Sequence, residues 1–92
     1  MSQLIRLDVC ELEPPEPMAK ILNQLQQLPL NTALRVQHRR QPFPLYSLLA
    51  EMGFAHQCLE LGYCDFAIYI WPDSDQQLQA YCEQAIEQEQ QL

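Results

Sequence analysis

Two glycines in 92 residues leave no material for a glycine-rich phosphate loop, which needs several positions open to close backbone approach. Positive charge is also scarce: five Lys and Arg stand against twelve Asp and Glu, for a net charge of −7. Nucleic-acid binding rests on clustered cations that neutralise phosphates, so nucleic acid is not an expected partner. No run approaches the ~18 apolar residues of a membrane helix. Residues Met1–Arg6 lack the apolar core of a signal peptide, so the expected location is cytoplasmic, away from membranes. Cysteine is limited to Cys10, Cys58, Cys64 and Cys82, with no CxxC pair, and the default in a reducing compartment is four free thiols. Neither a Ser-His-Asp order nor an HExxH motif occurs, so the expectation is a protein that is not an enzyme and needs no cofactor.

What is present is a core. Hydrophobic residues make up 48% of the chain and charged residues 18%, a globular balance. Ile5, Leu7 and Val9 alternate with Arg6, Asp8 and Cys10, which predicts a strand over Leu4–Cys10. Glu13-Pro14-Pro15-Glu16-Pro17 ends it, and prolines suit the first turn of the helix that follows over Pro17–Leu28. Met18, Ile21, Leu22, Leu25 and Leu28 form its apolar stripe. A second strand reaches about His38, and Pro42 and Pro44 open a second helix that ends at Gly53. Ala55–Leu61 and Asp65–Trp71 read as an antiparallel hairpin. The second of these is apolar on both faces, which predicts a place inside the sheet. Leu59 and Leu61 claim the inner face of the first, so His56 and Cys58 are expected to look away from the helices.

Asp73 or Ser74 is the expected cap of a last helix with the stripe Leu78, Tyr81, Cys82, Ala85 and Ile86, and Gln84–Leu92 is expected to fray. The predicted fold is an α+β or α/β two-layer sandwich in βαβαββ order. Its mixed four-stranded sheet has strand four antiparallel, two helices on one face and an extra C-terminal helix. The whole chain, 1–92, reads as one domain, with its core at 4–72 and the added helix at 73–90.

Two proline motifs carry a resemblance. Leu7-Asp8-Val9 followed by Leu12-Glu13-Pro14-Pro15-Glu16-Pro17, then Arg39-Arg40-Gln41-Pro42-Phe43-Pro44-Leu45-Tyr46, and finally Ile70-Trp71, resemble the family called domain of unknown function 2249. The first motif is also similar to the opening of the TusA/SirA-type sulfur carriers, but Pro14 stands where their carrier cysteine would be. The resemblance covers roughly Leu7–Trp71. It implies the sheet order 1-2-4-3, a TusA-like domain and a soluble bacterial protein of unassigned role, linked through its neighbours to redox, nitrogen-oxide or iron metabolism.

Ligands of such sheets bind beyond the C-terminal strand ends. That end should carry Cys10, Glu11 and Glu13 from the first connection and His38, Arg39 and Arg40 from the second, with Tyr46 closing the second motif. The expected activity is therefore non-catalytic: binding of a partner protein or a small anion near Arg39 and Arg40. The same charges also fit a solvated loop in which the arginines pair with Glu11, Glu13 or Glu16. An alternative is a redox or sulfur-transfer component using Cys10 or Cys64. A third is a metal or haem accessory protein, although Cys10, His38 and Cys64 lack the paired spacing of a metal site. The expected assembly is a monomer, or a weak homodimer through Tyr69, Trp71 or the C-terminal helix.

Overall fold

The structure, a computed structural model, describes residues 1–91; Leu92, the end of the segment expected to fray, lies outside them. The described residues form β1 (Gln3–Asp8), α1 (Glu16–Gln26), β2 (Thr32–His38), α2 (Phe43–Met52), β3 (Phe54–Gly62), β4 (Asp65–Pro72) and α3 (Gln76–Gln90). The sheet order is β1-β2-β4-β3. The α1 crossover makes β1 and β2 parallel, and β4 runs antiparallel to both β2 and β3. The strand ends after Asp8 and His38 therefore open on the same side, where α1 and α2 begin.

Proline sets both helix starts. Pro17 and Pro44 occupy the first turns of α1 and α2, where a missing N–H leaves nothing unpaired. Gly53 ends α2 in the left-handed region at φ 84, and its N–H donates back to the Ala50 carbonyl. Its own carbonyl accepts from Asp73 N–H at 2.9 Å, tying the end of β4 to the end of α2.

Alternation along the strands sorts the apolar residues onto two faces. Leu34 and Val36 of β2 and Ile68 and Ile70 of β4 meet Ile21 and Leu25 of α1 and Leu45 and Leu49 of α2. Both crossover helices thus lie on one face, as expected. On the opposite face Ala33, Leu59, Ala67, Tyr69 and Trp71 meet Leu78, Cys82 and Ile86 of α3. The added helix supplies a third layer. Covering on both sides is why β4 is apolar at every position from Ala67 to Trp71. Fully burying each Leu or Ile contributes about 1.5–3 kcal/mol.

Two features of α3 differ from expectation. The cap is Asp75, not Asp73 or Ser74, and its carboxylate accepts from Leu78 N–H at 3.0 Å. The two earlier residues are used in the turn closed by Asp75 N–H on the Pro72 carbonyl. The glutamine-rich end also stays helical through Gln90, because Glu89 continues the stripe of Leu78, Cys82 and Ile86 and is anchored. Its carboxylate accepts from Arg35 Nε at 3.1 Å, from a second Arg35 nitrogen and from the Tyr69 hydroxyl.

The face assigned to His56 and Cys58 is corrected as well. They pair across strands with Ile70 and Ile68, which face α1 and α2, so both look toward the helices. Leu59 turns instead to α3. Leu59 marked a buried face, but two faces of this sheet are buried, and Leu61, at the irregularity between Glu60 and Gly62, is exposed rather than on the inner face. No described helix is long and apolar enough to cross a membrane.

Candidate functional site

At the end of β1 the chain turns sharply. Val9 N–H donates to the Gln37 carbonyl at 3.0 Å, and Asp8 accepts from Cys10 N–H at 2.9 Å. That bond holds the Asp8 carboxyl below its ordinary range. The chain then enters the first proline cluster, with a cis bond between Pro14 and Pro15. One strand over, His38 ends β2, and the second proline cluster follows four residues later. Parallel neighbours with like connections bring the two clusters together.

They line a half-open cavity of about 270 Å³. Pro14, Pro15 and Pro17 line it from the first connection and Pro42 and Pro44 from the second, while Met18, Ile21 and Leu45 complete its apolar wall. Five of the seven prolines in the chain thus serve one cavity. His38 is the single polar side chain in the lining among the described residues.

His38 is 8% exposed, and its Nδ1 accepts from Arg40 N–H at 3.0 Å. The accepting nitrogen carries no proton, so the ring's proton sits on Nε2. Desolvation first, then the charges of Arg39 and Arg40, push its pKa below the ordinary 6.5, which keeps the imidazole neutral at neutral pH.

Arg39 pairs with Glu13 at 3.2 Å, joining the two connections beside the cavity. The Glu13 side chain is 77% exposed, so this pair is a surface contact worth about 0–1 kcal/mol. Arg40 is exposed and has no ion pair among the described residues. Glu11 is exposed on the first connection. His38, Arg39, Arg40 and Glu13 therefore come together at one end of the sheet.

Tyr46 stands apart from that group. Its ring stacks on His56 of β3 with centroids 4.1 Å apart and meets Phe43 edge-on at 6.0 Å. Its hydroxyl is buried, with no hydrogen-bond partner among the described residues, and burial beside Cys58 pushes its pKa up to about 12. Cys10 is half-buried, and desolvation with the neighbouring Asp8 pushes its thiol up to about 11. Cys64 is exposed in the β3–β4 turn at φ 53. All four cysteines are free thiols. Among the described residues, no group of three or more His, Cys, Asp or Glu side chains is placed to hold a metal.

The sequence reading missed the cavity because it took each proline as a local punctuator. The available signal was positional: both clusters lie between a parallel strand and the helix that follows it. It also missed the contact of Glu89 with Arg35 and Tyr69. Glu89 extends the α3 stripe by three residues, and Arg35 and Tyr69, cross-strand partners on β2 and β4, lie on the sheet face that the stripe covers.

The fold and this cavity define a mixed α/β sheet protein with an apolar pocket at the strand ends walled by proline. The chain belongs to the uncharacterized conserved protein family DUF2249, whose family model matches residues 6–72. The match ends at Pro72, so it spans the sheet from Arg6 with α1 and α2, and α3 lies outside it. No curated protein and no solved structure matches the chain.

Proposed function

We propose that this chain is a non-catalytic binding domain that engages an acidic partner protein at the C-terminal ends of β1 and β2. The observation that carries this reading is the convergence of a preformed apolar cavity with Arg39 and Arg40 on the His38–Pro42 connection. A cavity walled by rigid rings needs little ordering on binding, and Arg40, exposed and without an ion pair among the described residues, offers a cationic contact beside it on a chain of charge −7. Arg40 presents a fork suited to a carboxylate, and Arg39 would exchange Glu13 for one.

The residues argue against thiol chemistry at Cys10. Nucleophilic cysteines are thiolates held by positive surroundings, whereas Cys10 is kept protonated by burial and Asp8. Pro14, which stands at the carrier position of the sulfur-carrier resemblance, has no thiol and forms part of the wall.

The test is chemical-shift mapping of the isotope-labelled chain with sulfate, phosphate and an acidic peptide. The expected result is perturbation of His38–Leu45 by the peptide, and at least tenfold weaker binding by the Arg39→Ala, Arg40→Ala double variant with an unchanged circular dichroism spectrum. Shifts confined to other surfaces, or equal binding by the double variant, would refute the reading. Equal responses to the peptide and the simple anions would reassign the site to a small anion.

A further inference from the structure

We infer that the proline-walled cavity is an anchor for one aromatic side chain of a partner protein, with a carboxylate of the same partner beside it on Arg40. This deepens the proposed function and rests on its assignment of this end as the binding site. Size makes the first selection. Apolar cavities of about 150 Å³ accept a benzene ring, and pockets for drug-sized ligands run from about 300 Å³ upward. At about 270 Å³ the cavity has room for a single phenyl, phenol or indole group.

Chemistry makes the second selection. Five proline rings offer flat, apolar faces with no side-chain rotamer freedom to lose on binding. Aromatic side chains seated in such preformed pockets dominate the energetics of protein interfaces. The one polar group in the wall is His38, 92% buried by its 8% exposure. Its Nδ1 is occupied by Arg40 N–H, and its Nε2–H has no partner among the described residues. That donor would meet a backbone carbonyl or a phenolic oxygen carried in with the ring.

Charge and surface make the third selection. Arg39 already holds Glu13, whereas Arg40 is exposed and without an ion pair among the described residues, so Arg40 is the side chain open to a new carboxylate. Phe43 lies between the lining residues Pro42 and Pro44 and is 65% exposed. It carries apolar surface outside the cavity, which a chain of residues would cover and a free aromatic acid would not.

The experiment is calorimetric titration of the 92-residue chain with four probes. The first is an acidic peptide with one central phenylalanine, and the second has alanine in its place. The third has the acidic side chains replaced by their amides, and the fourth is free phenylpropionate. The expected order is tightest binding for the phenylalanine peptide, with at least a tenfold loss for the alanine and amide peptides and a larger loss for phenylpropionate. Alanine and phenylalanine peptides binding within twofold of each other would overturn the aromatic anchor and leave the acidic site standing. Phenylpropionate binding as tightly as the phenylalanine peptide would overturn the protein source. No binding by any probe would overturn the site itself.

Discussion

Replacing Glu89 by alanine leaves Arg35 buried against the sheet without its carboxylate. In the folded chain the side chains of Arg35 and Glu89 are 9% and 17% exposed, and the guanidinium lies 5.8 Å from the Tyr69 ring centre. Breaking a fully buried ion pair by removing one partner costs about 3–5 kcal/mol, and a fully exposed one about 0–1 kcal/mol. Arg35 keeps a bond to Gln37 at 2.8 Å and α3 keeps its apolar stripe, so the expected loss is about 2–3 kcal/mol. A chain of 92 residues has a total stability of roughly 5–14 kcal/mol. For that size the loss corresponds to a fall in Tm of about 10–20 °C, read by circular dichroism melts and urea titration. The double replacement Arg35→Met, Glu89→Met removes both charges and should recover stability to within about 1 kcal/mol of the parent chain. A Glu89→Ala loss below about 0.5 kcal/mol, or a double variant less stable than the single one, would refute the claim that this pair pins the end of α3.

Further outcomes follow from the same residues. His38 and His56 both have pKa values depressed below 6.5, chiefly by burial, so the unfolded chain takes up protons first as pH falls. Stability should be full above 6.5 and decline below it, and urea midpoints between pH 7 and 5 that stay level would contradict this. Cys10 and Cys82 are raised from 9.0 to about 11, so the unfolded chain loses those protons first and stability should fall again as pH rises from 9 to 11. Tyr46→Phe removes a buried hydroxyl that has no partner and should be neutral or stabilising by up to about 1 kcal/mol; a loss above that in urea titration would reveal a hidden bond. Leu49, fully buried, should cost about 2–5 kcal/mol when truncated to alanine, measured by the same titration. Maleimide labelling of the native chain should reach Cys64 first and Cys82 last, and a fast-reacting Cys82 would mean that α3 detaches readily.

How much of this was legible beforehand depended on how local the signal was. The alternation of Ile5, Leu7 and Val9, the two-faced run Phe66–Trp71 and the stripe Leu78–Cys82–Ile86 each report a period and a burial, and each lies where its pattern placed it. The facing of β3 failed because periodicity states that Leu59 is buried without stating under which layer, and α3 made the second face as apolar as the first. The bulge between Glu60 and Gly62 weakened the alternation further. Arg39 pairing with Glu13 was anticipated from charge and topology, since both connections leave the same end of the sheet. The cavity was not, because a void is made by the spacing of two helix starts, which no single proline records.

The central claim is that the proline-walled cavity is where a partner is held. Intermolecular nuclear Overhauser effects between the ring protons of the phenylalanine-containing acidic peptide and the labelled 92-residue chain test it most directly. The account predicts contacts to the Met18 methyl group, to Ile21 and Leu45 and to the proline rings at positions 14, 15, 17, 42 and 44. Contacts to the α3 groove around Arg6 and Ala85, or a bound peptide with none to the cavity wall, would contradict it.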